Sequence, residues 1–312
     1  MEHGCTLVTG AAGFVGAVLC PALLAAGREV VGVHLPGLPP GRDPIAWRAC
    51  DLRDRAAVKA LVAETRPAAV VHLAALAAPA EAERAPLEAL RANVLALDAL
   101  LEALADTGAR LLFVSSGDVY GPSAADTRPR RESDPPRPPN LYAATKAAGE
   151  VVVRLAVERG LDACIARPFN HTGPGRPPVY AEGSFARQLV EIERGRAEPV
   201  LRVGNLAPIR DFSDVRDVVS AYLVLLERGV RGETYNVCSG RGRSMRELLD
   251  HLLARSTARP EVRVDPERFR ELPAERVALV GDPTRIRALG WNPSHSAEDA
   301  LDALLAAERA AP

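Results

Sequence analysis

The chain has 312 residues, enough for one large domain or two closely joined ones. Apolar residues make up 47 % and charged residues 25 %, and the net charge of −1 excludes a general attraction for nucleic acid or an anionic membrane. No uninterrupted apolar stretch reaches the roughly 18 to 20 residues of a membrane span, and a candidate strand starts almost at once with no leader-like segment ahead of it, so a cytoplasmic protein is expected.

The first element is the strand-like run CTLVTG (5–10), followed by a helix-like run, AVLCPALLAAG. Further candidate strands are EVVGVHL (29–35), AAVVHLA (68–74), RLLFVSS (110–116) and ACIARPF (163–169), each nearly continuous in apolar residues, as suits a parallel strand buried on both faces. After Pro86 the residues Leu87, Leu90, Val94, Leu97, Leu101 and Leu104 recur at spacings of three and four, which predicts one helix with a continuous apolar stripe. The run RPRRESDPPRPPN (128–140) reads as a surface loop beside the site. Past residue 170 the pattern loosens into the Gly- and Pro-dense HTGPGRPP, then a helix (FARQLVEIERG), a strand (PVLRVG), a helix (DVVSAYLVLLERG) and a strand (GETYNVCS). The expected class is α/β: a doubly wound parallel sheet over residues 1–169 to which 207–238 return, with a smaller, interleaved lobe from 170–206 and 239–312.

Between the first strand and helix stands CTLVTGAAGFVG, with Gly10, Gly13 and Gly16 spaced G-x-x-G-x-x-G. A tight turn, a close backbone approach to a pyrophosphate and a helix N-terminus with unpaired N–H groups make this a dinucleotide-binding loop of the Rossmann type, with Phe14 and Val15 inside it. An acidic residue at the end of the second strand would bind the adenosine ribose of NAD and repel a 2′-phosphate. His34 holds that position and Arg42 follows, which leans toward NADPH with NADH as the alternative; His34 as a plain loop residue is the competing reading. Asp51 and Leu52, in ACDLRD, are placed near the adenine, and Leu73, Ala74 and Ala75, in VVHLAAL, along the pyrophosphate.

Tyr142 and Lys146, in YAATK, are four apart and share a helix face. The lysine's charge is expected to lower the phenol pKa so that Tyr142 exchanges a proton with a sugar oxygen, and Ser116, at the carboxyl edge of the sheet, to bind the same oxygen. The plainer alternatives are a strand-end hydrogen bond for Ser116 and an amphipathic surface position for Tyr142. The five cysteines (Cys5, Cys20, Cys50, Cys164, Cys238) form no CxxC pair and read as free thiols, and the histidines show no ligand spacing, so no metal site is expected.

Taken together, TGAAGFVG, CDLRD, VHLAA, VSSGDVYG, YAATKAAGE, RPFN, RDFSDVRDVV and YNVCSG resemble the extended short-chain dehydrogenase/reductase family of nucleotide-sugar enzymes over essentially the whole length. Within it, RPFNHTGPG, VGNLAPIRDFSDVRDVV and YNVCSG most resemble the reductases of GDP-4-keto-6-deoxy-D-mannose. The resemblance implies NADPH-dependent reduction of the C4 ketone to GDP-D-rhamnose, with Asn170 near the sugar or diphosphate, Arg210 on the diphosphate and a homodimer joined through a four-helix interface. A loop-capping amide for Asn170 and a salt bridge from Arg210 to Asp211 or Asp214 are the structural alternatives. The resemblance also implies an RPxE run before a GD pair, where this chain keeps Glu275 for the ribose but has Leu272 at the arginine position, with Arg270 and Arg276 as substitutes. Asp118 stands where dehydratases carry a glutamate base, which favours simple hydride transfer. A redox-neutral epimerase or 4,6-dehydratase is the first alternative, and a non-catalytic NAD(P)-sensing protein the remote one.

Overall fold

The computed structural model describes residues 4–41, 44–123, 128–265 and 277–311. Its centre is a seven-stranded sheet in the order β3-β2-β1-β4-β5-β6-β10, all pairs parallel. The strands are β1 (Thr6–Thr9), β2 (Val30–His34), β3 (Ala46–Ala49), β4 (Ala69–His72), β5 (Arg110–Val114), β6 (Asp162–Pro168) and β10 (Thr234–Val237). β1, β4 and β10 are buried at every position; in β1 and β4 this goes with a nearly continuous apolar run, whereas β10, TYNV, also buries Asn236. β3 escapes that signal: it is an edge strand, AWRA, with no fully buried residue.

Helices α1 (Gly16–Ala25) and α8 (Val215–Arg228) cover one face, enclosing Leu19, Leu23, Val218, Tyr222 and Leu225. Helices α2 (Arg55–Thr65), α5 (Ala96–Leu104) and α6 (Leu141–Glu158) cover the other. The expected single stripe from Leu87 to Leu104 is corrected here. The segment is broken into α3 (Pro79–Arg84), α4 (Pro86–Leu90), a π turn over Arg91–Leu95, and α5. The wide turn changes the phase of the side chains, so Leu97 and Leu104 are fully buried whereas Leu87 is 66 % exposed. Buried Asn93 holds the turn in place: its Oδ1 accepts from the Leu76 N–H (2.7 Å), and its Nδ2 donates to the Leu76 carbonyl (3.2 Å) and to Thr145 Oγ1 (2.9 Å).

The smaller lobe contains β7 (Asn170–Thr172), α7 (Ala181–Glu193), β8 (Val200–Val203), β9 (Ile209–Asp214), β11 (Gly242–Ser244), α9 (Met245–Arg255), β12 (Glu261–Val264), β13 (Ala278–Leu279) and α11 (Ala297–Ala310), whereas α10 (Thr284–Arg287) packs on β10 and puts Ile286 into the core of the large sheet. β9 pairs with β7, β11 and β13, and β8 pairs with β12. Phe185, Leu189, Leu249, Leu252, Leu301 and Leu304 from α7, α9 and α11 pack as a separate core. Of the stretch 207–238, α8 and β10 serve the large sheet while β9 organises the small one. Cys20, Cys50, Cys164 and Cys238 are buried thiols and Cys5 is partly exposed; none is in a disulfide.

Candidate active site

A cavity of about 770 Å³ opens at the carboxyl ends of the parallel strands, at β1 and β4, the neighbours between which the strand order reverses. One end is the glycine loop. Gly10 has φ +70°, and a Cβ there would lie 2.8 Å from the Ala74 nitrogen. A Cβ on Gly16 would lie 2.2 Å from the Ala11 carbonyl oxygen, so this contact between α1 and the turn is open only to glycine. Among the described residues no side chain caps α1; its Ala17 and Val18 N–H groups donate to the Gly13 and Val15 carbonyls, and the loop backbone just ahead of them, Phe14 to Gly16, lines the cavity.

Gly10, Gly13, Phe14, Val15, Gly16, His34, Asp51, Leu52, Leu73, Ala74 and Ala75 all line this cavity. His34 sits edge-on to Trp47, ring centroids 6.1 Å apart, at the end of β2. Asp51 is already engaged: its two carboxylate oxygens accept from Arg53, one of them from the Arg53 backbone N–H as well. Beneath the loop, Thr9 Oγ1 and His72 Nδ1 lie 2.9 Å apart and cross-link β1 to β4. Burial, with the Lys146 charge, pushes the His72 pKa down to about 3, so this ring is neutral near pH 7.

The other end carries Ser116, Asp118, Tyr142, Lys146 and Asn170 together. Asn140 caps α6 by accepting from the Ala143 N–H at 2.9 Å, which fixes Tyr142 in the first turn. Thr145 Oγ1 donates to the Tyr142 carbonyl at 2.7 Å and accepts from Asn93, so the π turn braces the same turn of α6. Ser116 accepts from the Asp118 N–H at 3.1 Å and is hydrogen-bonded to Tyr142. Lys146 is buried, and its Nζ donates to the Val114 carbonyl at 2.8 Å.

The electrostatics correct one expectation. The Tyr142 pKa is raised, first by burial and then by the negative charge of Asp118, with the Ser116 hydrogen bond opposing. Lys146 does not produce the expected lowering: its ammonium is turned to the Val114 carbonyl and lies 5.4 Å from the centre of the Phe113 ring. Burial brings the Lys146 pKa down to about 8, against which the Glu150 carboxylate holds the charge.

Arg210 does not line the cavity. Its Nη1 donates to the Ile209 carbonyl (2.8 Å) and the Val277 carbonyl (3.2 Å), where β13 joins β9. The two salt-bridge partners considered for it are engaged elsewhere: Asp211 accepts from Ser239 and Gly240, and Asp214 from Arg216. Arg42, Arg270, Leu272, Glu275 and Arg276 lie outside the described residues.

The sequence alone does not single out several residues that the fold brings to this place. His171, Arg176, Tyr180 and Tyr222 line the cavity, and Tyr222 Oη is buried without a hydrogen-bond partner among the described residues. Behind it, Arg167 and Glu150 form an ion pair at 2.6 Å with side chains 2 % and 1 % exposed. Arg167 Nη1 also donates to Tyr120 Oη, which donates to Asn236 Oδ1, both at 2.7 Å. The only signal for that pair was a charge inside each of two otherwise apolar runs, CIARPF and AAGEVVV.

The sequence profile of the NAD dependent epimerase/dehydratase family matches residues 6–238. The GDP-6-deoxy-D-mannose reductase of Pseudomonas aeruginosa is 39 % identical over 243 residues, covering 77 % of this chain and 79 % of the relative. The structure of RMD from Pseudomonas aeruginosa complexed with NADPH superposes with a TM-score of 0.86 at 35 % identity, covering 98 % of this chain and 99 % of that one. The UDP-glucose 4-epimerase of Thermus thermophilus, in complex with NAD, superposes with a TM-score of 0.88 at 29 % identity, covering 99 % of this chain and 100 % of that one. Fold, glycine loop, clustered Ser116, Tyr142 and Lys146, and these likenesses agree, and the chain belongs to the NAD dependent epimerase/dehydratase family.

Proposed function

We propose that the protein reduces the C4 ketone of a nucleotide-linked 4-keto-6-deoxy sugar, GDP-4-keto-6-deoxy-D-mannose first among them, to give GDP-D-rhamnose. The observation that carries this reading is the state of Tyr142. Burial and the Asp118 charge keep its phenol protonated well above neutral pH while Ser116 is hydrogen-bonded to it. Such a group still carries its proton when the hydride arrives and can give it to the forming alkoxide, a far stronger base. Asp118 itself has one methylene fewer than the glutamate that elimination would need.

The glycine loop, His34, Asp51 and the 73–75 segment would hold the dinucleotide, and the lack of an acid at His34 supports NADPH over NADH. Bound NADPH supplies the hydride. Ser116 and Tyr142 would bind the ketone oxygen, Tyr142 would release its proton to it, and Lys146 would hold the nicotinamide ribose. The Pseudomonas relatives named above support both the reductase reading and NADPH. The likeness to an NAD-containing epimerase keeps a redox-neutral reaction as the second reading.

Incubation of the purified protein with NADPH and GDP-4-keto-6-deoxy-D-mannose decides between them. Stoichiometric loss of NADPH absorbance with formation of the deoxyhexose is the expected result. Interconversion of sugar nucleotides by protein that retains oxidised cofactor, without net NADPH consumption, would establish the epimerase or dehydratase reading instead.

A homodimer belongs to the same proposal. Exposed Leu87, Leu90 and Leu95 lie on α4 and the π turn, and exposed Val151 and Leu155 on α6, which packs against both. Apolar side chains gathered on adjoining helices suit a second copy of this chain.

A further inference from the structure

Arg176 stands in the Gly- and Pro-rich turn between β7 and α7, 8 % exposed, and lines the cavity. Three contacts hold its guanidinium. Nε donates to Glu182 Oε1 at 2.7 Å, in the first turn of α7. The guanidinium carbon lies 3.6 Å from the centre of the Tyr180 ring and 5.3 Å from that of Phe14 in the glycine loop. Phe14 is in turn stacked on His171, with centroids 6.0 Å apart and planes 5° apart. Arg176 therefore ties the glycine loop to the smaller lobe across the mouth of the site. Its Nη1 and Nη2 have no hydrogen-bond partner among the described residues.

These two nitrogens are not among the fully buried unpartnered side-chain atoms, so they face the open cavity, where a ligand would take the place of water. The planar fork is already oriented by the ion pair and the two rings, so little freedom remains to be lost when a ligand arrives. Two facts identify the part of the ligand it meets. Arg176 follows β7, whose first residue Asn170 lines the cavity together with Ser116 and Tyr142, and its charge reaches the Tyr142 phenol. The Glu182 carboxylate at 2.7 Å already balances its charge, which favours neutral hydroxyl groups over a further anion as acceptors. We propose that Arg176 is a substrate-binding residue whose Nη1 and Nη2 donate to hydroxyl groups of the hexose beside the reacting carbon. The assignment rests on the nucleotide-sugar reading above and extends it to the sugar.

The test compares the wild-type enzyme with Arg176→Met/Glu182→Gln and with Arg176→Lys. The double variant removes the fork without leaving a buried carboxylate unpaired; the lysine variant keeps the charge without the planar geometry and decides the matter if the double variant does not fold. Steady-state kcat/KM with the keto-sugar nucleotide, the inhibition constant of free GDP and the KM for NADPH are read for each. Loss of a charged hydrogen bond to the hexose lowers kcat/KM about ten- to a hundredfold, with the GDP constant and the NADPH KM unchanged. Equal losses in kcat/KM and GDP affinity would move Arg176 to the diphosphate and overturn the proposal. A change confined to the NADPH KM, or no change in any constant, overturns it too. Wild-type enzyme that consumes no NADPH with any keto-sugar nucleotide would overturn the functional reading and this assignment with it, an outcome visible before any variant is made.

Discussion

Glu150→Gln probes the buried charge pair behind the catalytic helix. The Glu150 carboxylate accepts from Ser115 Oγ at 2.7 Å and from Arg167 Nε and Nη2 at 2.8 and 2.6 Å. Glutamine keeps the shape, but its amide nitrogen cannot accept, and Arg167 is left charged in an interior where its side chain is 2 % exposed. The hydroxyl on its other side does not replace the anion: burial pushes the Tyr120 pKa up to about 12, so the phenol beside Arg167 stays neutral. Removing one partner of a buried pair costs about 3–5 kcal/mol, a large part of the stability of an ordinary domain. Urea unfolding at neutral pH reads that loss. A second effect follows along α6, where Glu150 lies one turn beyond Lys146 and sustains its charge. Without Glu150 the Lys146 pKa falls below about 8, and the alkaline limb of kcat/KM moves to lower pH. Replacing both Glu150 and Arg167 by Met removes the lone charge and should restore most of the stability. A loss below about 1 kcal/mol for Glu150→Gln, of the size of a surface pair, together with an unmoved alkaline limb, would refute the reasoning.

Tyr142→Phe keeps the ring but removes the proton donor, so turnover should fall about 10²- to 10⁴-fold while calorimetry shows NADPH affinity unchanged; near-wild-type turnover would sink the assignment. His72 has a folded pKa of about 3 against an ordinary 6.5, so its contribution to stability is complete above pH 6.5 and is lost as pH falls toward 3. At about 1.4 kcal/mol per pH unit, the loss at pH 5 is about 2 kcal/mol; His72→Asn should flatten that slope in urea unfolding, and an identical pH dependence in the variant would contradict it. Leu155 is 52 % exposed on α6, and Leu155→Lys should convert a wild-type dimer to monomer in light scattering. A wild-type protein that is monomeric at micromolar concentration rules the dimer out.

The residues that the sequence disclosed are those whose meaning is local. Gly10, Gly13 and Gly16 could be read because a tight turn followed by a helix imposes their spacing on neighbouring residues. Buried parallel strands announce themselves as short apolar runs, and the four-residue interval between Tyr142 and Lys146 puts them on one helix face wherever the helix lies. β3 went unread because a half-exposed edge strand carries no such pattern, and the π turn because a stripe of leucines assumes a constant helical period that Asn93 interrupts. Only the tertiary structure brought Arg176 against Phe14, paired Glu150 with Arg167, and set Asp118 beside Tyr142. These contacts join distant parts of the chain, and sequence spacing says nothing of distances across a sheet or a loop. The direction of the Tyr142 shift was decided in the same way: a pKa answers to burial and to the nearest charges in space, and Lys146, its neighbour on the helix, is turned toward the Val114 carbonyl.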